Sequence, residues 1–390
     1  MHTLTNALIA LGAALLAATA ATAQTQGVSK SEVVIGTIQD LSGPLAGYGK
    51  DLRNGMNLRM AEINEQGGVH GRKLRLVLED NGYDPRRAVL AAQKLVNQDK
   101  VFLIAGILGT ASANAAMPVM AQKGVMSFFP MALAREMYEP VDKLKFAFVS
   151  SYVEQMVGVV PRLYREKKAT KACTLYQDDE FGLEVMRGAE QGLKGINVEF
   201  VERTTYKRGA TDFSSQMARM KAAGCDFIVL GTVIRETVGA IAEARKLGYN
   251  PTMLSSVAAY TDLIPKLGGK AMDGLYATMM GKVPYDDDAS APVRFWANKY
   301  RTAYNESPTV FSVYGYVIID RLASALQKNG PQLSTDSLAR TMESLSVPAD
   351  IFGMPAMSWS AKSHLGSSDS RLSQIQDGRW RVVLDYGQLR

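Results

Sequence analysis

From Lys30 onward the chain alternates two hydrophobic periods, and this alternation limits its architecture more than any other feature. Short runs rich in β-branched and aromatic residues read as strands: Val33–Ile38, Leu74–Leu78, Val101–Ile107, Val125–Phe129 and Phe146–Val149. Between them apolar residues recur every three or four positions, which predicts helices. The stripe is Leu52, Met56, Met60 and Ile63 within Asp51–Asn64, and Val89, Ala92, Leu95 and Val96 within Asp84–Asn97. Asp84-Pro85 supplies an N-cap followed by a proline in the first turn, and Gly67-Gly68 and Gly124 stand where helices should stop. The series then starts again, with strands expected at Ala172–Tyr176, Val198–Val201, Phe227–Leu230, Met253–Val257 and Leu275–Met279. Helices are expected between them at Glu184–Leu193, Phe213–Ala222 and Thr237–Leu247. Strand–helix–strand repetition implies parallel sheets covered on both faces. Two such series imply an α/β protein of two similar lobes meeting near Ser150-Ser151.

The remainder breaks the alternation. Three helix patterns, Val293–Tyr304, Val310–Gln327 and Thr335–Ser344, follow one another without strands, and two strand-like stretches close the chain, Gly353–Trp359 and Arg379–Tyr386. These segments are expected to complete the two lobes rather than form a third domain, so the chain crosses between lobes more than once and leaves a hinge with a cleft.

Composition excludes several classes. With 47% hydrophobic and 21% charged residues, the chain is neither disordered, collagen-like nor a coiled coil. Its 44 Lys and Arg against 38 Asp and Glu give a net charge of +6, but the basic residues are interleaved with acids, as in Glu243/Arg245/Lys246. Nucleic-acid binders gather them on one face, so no nucleic-acid partner is expected. Residues 1–23 contain no Lys, Arg, Asp or Glu, run apolar from Ala7 to Ala21, and end in Ala21-Thr22-Ala23, the small-x-small pattern of a cleaved secretory signal. No later stretch approaches the roughly 20 apolar residues of a membrane span. The expectation is a protein exported to the periplasm.

The case for an enzyme is thin. Histidine occurs only at 2, 70 and 364, and no nucleophile elbow, zinc-protease motif or Walker loop is present. Asp286-Asp287-Asp288 lacks further ligands around it and reads as a solvated loop, so neither metal nor cofactor is expected. Cys173 and Cys225 both fall at the starts of expected strands. An oxidising compartment permits a bridge, but directly paired cysteines on adjacent parallel strands are uncommon, and two buried free thiols are the favoured reading. What remains is a set of strand C-terminal ends facing one crevice, where open α/β sheets bind ligands: Leu41–Gly49, Leu108–Ser112, Pro130–Leu133, Gln177–Phe181, Thr232–Glu236 and Val257–Tyr260. In Gly109-Thr110-Ala111-Ser112 small residues open a helix, and that position offers either an anion site or simple capping.

The segments IGTIQDLSGPLAGYG (35–49), AEINEQGGVHGRKLRLVLEDNGYDP (61–85), LYQDDEFGLE (175–184) and EARKLGY (243–249) resemble the leucine/isoleucine/valine-binding proteins, the periplasmic binding proteins of branched-chain amino acid ABC transporters. The resemblance runs from about residue 30 to the C-terminus. It implies two Rossmann-like lobes joined by three crossovers, placed near residues 151, 280 and 371. The lobes would then be 30–150 plus 281–370 and 151–280 plus 371–390, after a signal over 1–23. It also implies a monomer that closes on a small solute and delivers it to a permease in the inner membrane.

Carried over position by position, Tyr48 matches the aromatic residue of the first loop. Leu108, Gly109 and Thr110 match the segment that holds the ligand carboxylate, and Thr110 keeps the hydroxyl. Met131, Ala132 and Leu133 match a segment whose last residue is a threonine in the family. Phe181 and Val233 stand where the family has cleft tyrosines, and Val257 stands where a glutamate pairs with the ligand ammonium. The family's first-lobe cysteines fall on Tyr83 and Gly109, so that bridge is lost. A buried ammonium needs a carboxylate or several acceptors. This chain keeps the anion end and puts valine at the cation end. It is therefore expected to bind a carboxylate without an α-ammonium, aromatic or aliphatic. The alternatives are an amino acid whose ammonium is taken by Asp178, Asp179 or Glu236, and a ligand-sensing subunit of a signalling receptor. Arg235, beside Val233, is a candidate second anion clamp, with surface exposure the favoured reading.

Overall fold

The computed structural model describes residues 25–385. The signal expected over residues 1–23 lies outside them. Two sheets organise the chain. The first has five parallel strands, β1 (Glu32–Gln39), β2 (Lys73–Asp80), β3 (Leu103–Ala105), β4 (Met126–Phe128) and β5 (Lys145–Phe146), in the order β2-β1-β3-β4-β5. The second contains β6 (Ala172–Gln177), β7 (Phe200–Tyr206), β8 (Phe227–Gly231), β9 (Thr252–Ser255) and β10 (Tyr276–Met279), also parallel. A short pair, β11 (Ser346–Val347) and β12 (Met357–Ser358), stands apart. The last two strands, β13 (Arg371–Gln376) and β14 (Arg379–Leu384), complete the second sheet, which runs β14-β13-β10-β9-β8-β6-β7.

The helices between strands are α1 (Ala46–Glu65), α2 (Pro85–Asn97), α3 (Thr110–Ala121), α4 (Tyr152–Glu166), α5 (Glu180–Lys194), α6 (Ser214–Ala223), α7 (Ile234–Lys246) and α8 (Leu263–Gly268). They are followed by α9 (Ala291–Tyr304), α10 (Val310–Asn329) and α11 (Thr335–Met342). The Asp84 side chain accepts from the N–H groups of Arg86 at 2.7 Å and Arg87 at 3.1 Å, with Pro85 in the first turn, so the cap legible in the sequence is formed. After β5 the chain enters the second lobe through α4, and after β10 it returns to the first. There α10 lies against α1, a close approach that glycine makes possible: a Cβ on Gly55 would sit 1.9 Å from the Ser312 carbonyl oxygen, and one on Gly315 would sit 2.1 Å from that of Leu52. The chain crosses again to lay β13 against β10.

Several expectations need correction. The second sheet is mixed, because β13 and β14 are antiparallel to their neighbours. Asp377 and Gly378, at φ +51° and +74°, form the two-residue turn between them, and so short a connection can only reverse the chain. Helix α1 begins at Ala46, not Asp51; Asp40 accepts from the N–H groups of Ser42, Gly43 and Leu45 and so sets up the first turn despite its glycines. Pairing in β5 ends at Phe146, and Ala147 bridges to Leu365 instead of continuing the sheet. Cys173 and Cys225 are joined in a disulfide, with Cα atoms 6.0 Å apart, and are not free thiols. Cys225 lies in the turn before β8, whereas Cys173 is opposite Ile228, so the two are not a direct cross-strand pair and the argument against bridging does not apply.

The acidic loop is accounted for by ion pairs and a turn. Asp286 pairs with Arg301, Asp287 with Arg379 at 2.7 Å, and Asp288 accepts from the Ser290 N–H at 2.8 Å. Among the described residues no group of three or more acidic, His or Cys side chains could hold a metal, and no helix is long and apolar enough to cross a membrane.

Candidate ligand-binding cleft

The C-terminal ends of the parallel strands in both sheets face one cavity between the lobes. From the first lobe, the loop after β1 brings Leu45 and Tyr48, the turn after β2 brings Tyr83, and the segment after β3 brings Leu108, Gly109 and Thr110. Met131 and Leu133 follow β4. From the second lobe come Phe181 after β6, Val233 after β8, and Val257 and Ala258 after β9. Tyr152 at the start of α4 and Phe311 and Tyr314 on α10 complete the wall. The walls stand close together, and the cavity they enclose is narrow, about 30 Å³.

The anion end is built by backbone geometry. The Leu108 N–H donates to the Ile38 carbonyl at 3.0 Å and the Gly109 N–H to Met131 at 3.0 Å, which pins the segment between β1 and the loop after β4. Gly109 has φ +94°, a conformation that only glycine adopts readily, and this turn points the start of α3 at the cavity. No side chain caps α3. The Thr110 hydroxyl is buried, and the polar group it interacts with is the Tyr152 phenol. An uncapped first turn and the positive end of the helix dipole, with the Thr110 hydroxyl beside them, are chemically able to accept an anion.

Elsewhere the wall is apolar or aromatic, and no lining residue carries a charged side chain. Tyr48 is stacked on Phe311 with ring centroids 3.6 Å apart and donates its O–H to the Ala258 carbonyl across the cleft at 2.6 Å. Burial, reinforced by Glu236 and Asp262, pushes its phenol well above the usual range, so it stays a donor. Tyr83 and Tyr152 are likewise raised by burial. Tyr152 meets Phe181 edge to face at 5.1 Å.

Of the positions singled out in the sequence, the structure brings Tyr48, Leu108, Gly109, Thr110, Met131, Leu133, Phe181, Val233 and Val257 into this wall. It leaves out two. Ala132 packs into the core behind the sheet, as alternation of side chains between Met131 and Leu133 requires. Arg235 is exposed on the first turn of α7, pointing to solvent rather than into the cleft, so it is no clamp. The possible ammonium partners are also outside the lining. Asp178 is exposed. Asp179 is bound by Arg208 at 2.7 Å and Gln177 at 2.6 Å. Glu236 is buried outside the lining, its Oε2 without a partner and its carboxyl raised by that burial, and its charge is felt by the Tyr48 phenol.

Tyr83, Tyr152, Phe311 and Tyr314 were not picked out by sequence. Tyr83 follows a strand end as the other site residues do, and Phe311 and Tyr314 are three apart on one helix face, but nothing local says which face meets the cleft. Tyr83 and Gly109, the positions of the missing bridge, are in contact: a Cβ on Gly109 would lie 2.6 Å from the Tyr83 ring.

Comparison with known proteins agrees with this construction. Residues 32–379 match the family model described as periplasmic binding protein. The Leu/Ile/Val-binding protein homolog 7 of Brucella abortus is 26% identical over 392 residues, covering 96% of each chain. The isoleucine complex of a branched-chain amino acid transporter substrate-binding protein from Streptococcus pneumoniae superposes with a TM-score of 0.78 at 21% identity, covering 91% of this chain and all of that one (100%). An ABC transporter solute-binding protein from Rhodopseudomonas palustris, in complex with 3,4-dihydroxybenzoic acid, gives 0.80 at 20% identity over 92% and 97%. With two α/β lobes around a cleft and a family match over most of its length, the chain belongs to the periplasmic binding protein family.

Proposed function

We propose that the protein is the extracytoplasmic solute-binding component of an ABC transporter. It closes on a small carboxylate that lacks an α-ammonium and hands it to an inner-membrane permease. The observation that carries the choice of ligand is the wall: a buried hydroxyl at an uncapped helix start, and no charged side chain in the lining. A zwitterion buried there would leave its cation without a counter-charge. The aromatic lining suits a flat or branched apolar body, and the dihydroxybenzoate bound by the R. palustris protein has that chemistry.

In this reading residues 1–23 direct export, and the mature chain acts as a monomer. The lobes are 30–150 plus 281–370 and 151–280 plus 371–390, and they hinge at crossovers near 151, 280 and 371. No reaction is catalysed.

A thermal-shift panel of leucine, isoleucine, benzoate, 3,4-dihydroxybenzoate and short-chain fatty acids tests the proposal. Amine-free acids should raise the melting temperature and leucine should not; stabilisation by leucine or isoleucine alone sinks it. The buried Glu236 favours one second reading, an amino acid ligand reached after repacking around Val233. Leucine binding that disappears in Glu236→Gln would establish it.

A further inference from the structure

Tyr83 stands in a conformation that its residue type does not favour. Its φ is +60° and that of Gly82 is +55°, so a bulky aromatic occupies the left-handed region directly after a glycine. The turn is held by side chains around it. Asp80 accepts from the N–H groups of Leu41 and Gly82, both at 2.9 Å, and Asn81 accepts from the Tyr83 N–H at 3.3 Å while donating to Ser112 at 2.7 Å. Strain maintained by surrounding contacts marks a side chain whose direction matters.

That direction is across the cleft. Gln177 of the second lobe donates to the Tyr83 phenol oxygen at 3.1 Å, and the same amide donates to Asp179 at 2.6 Å. Asp179 is ion-paired with Arg208 at 2.7 Å. The Arg208 guanidinium lies 5.0 Å from the Tyr83 ring centroid and donates to the Tyr83 carbonyl at 3.4 Å. One first-lobe residue thus receives a hydrogen bond, a cation–π contact and a backbone bond from the second lobe, on groups that are themselves tied together. Meanwhile its ring lines the cavity beside Gly109, and its own phenolic proton remains to be given to a ligand oxygen.

We propose that Tyr83 is the affinity-setting latch of the cleft. It stabilises the closed arrangement by protein–protein contacts alone, so that closed molecules exist before ligand arrives, and it presents its hydroxyl to the ligand from the latched position. Pre-closure raises apparent affinity in proportion to the closed fraction. The proposal goes beyond the ligand assignment and does not depend on it.

The test is a distance measurement on ligand-free protein. Spin labels are placed at exposed Gln93 on α2 of the first lobe and exposed Ala222 on α6 of the second, as Gln93→Cys and Ala222→Cys. Two distance populations are expected. Tyr83→Phe, which keeps the ring and loses the bond from Gln177, should lower the closed-to-open ratio about five-fold, the effect of one hydrogen bond. Arg208→Met, which leaves Tyr83 intact, should lower it similarly. A ligand-free ensemble with no short-distance component, or a ratio that neither substitution changes, overturns the latch. Either result leaves the carboxylate reading standing.

Discussion

At the residue scale, the proposed site turns on the buried Thr110 hydroxyl. Thr110→Val should weaken binding of the preferred acid about ten-fold or more by calorimetry, since a hydrogen bond to a charged group contributes about 1.5–3 kcal/mol. Its effect on the ligand-free melting temperature should be small, because the substitution keeps the side chain's size and gives up at most the contact with the Tyr152 phenol. A second residue makes stability depend on pH. Asp51, buried on α1, accepts a hydrogen bond from Thr309 at 2.7 Å. Burial raises its carboxyl to about 7, with Asp262 and Glu306 adding to the shift and Thr309 and Lys50 opposing it. The folded state therefore holds a proton that the unfolded chain releases near its ordinary pKa of 3.8, and the associated stability is lost as pH rises through about 7. Asp51→Asn keeps an acceptor for Thr309 and should raise the melting temperature more at pH 8 than at pH 5.

At the element scale, the strand ends were legible and the faces of the helices were not. Alternation located β1 to β4 and the loops after them, and the resemblance singled out Thr110 and Val257 within such loops; both line the cavity. Phe311 and Tyr314 could not. Helix α10 is buried around most of its circumference, so its apolar pattern does not tell the cleft side from the α1 side. Helix α4 was missed although Ser151 and Glu154 form a capping box, with bonds of 3.2 and 3.0 Å, whose Ser-x-x-Glu signature is visible in the sequence. Two tests belong here. Gly55→Ala forces a methyl into the Ser312 carbonyl and should reduce unfolding free energy by about 2 kcal/mol or more in urea titration. Replacing Cys173 and Cys225 by alanine opens a loop of 52 residues, worth about 4 kcal/mol by chain entropy, and should lower the denaturation midpoint by a corresponding amount.

At the scale of the molecule, the two-lobed plan followed from the period of the hydrophobic pattern, but what closes the lobes did not. The cross-cleft bonds join residues far apart in sequence, Tyr48 with Ala258, Tyr83 with Gln177, and the Arg135 N–H with Glu184 at 3.4 Å. Glu184 is nearly buried and reads in the sequence as an ordinary acid near a helix start, yet it faces Arg135 of the other lobe. Such partners depend on the closed geometry, which no local pattern encodes.

The order in which the chain supplies its parts has one more consequence. The helix that covers α1 is made of residues 310–329, and the hairpin that seals β10 of residues 371–384. Each lobe thus draws a covering element from far downstream of its first strand, so a chain truncated before residue 310 would lack the cover of α1 and the edge of β10 together.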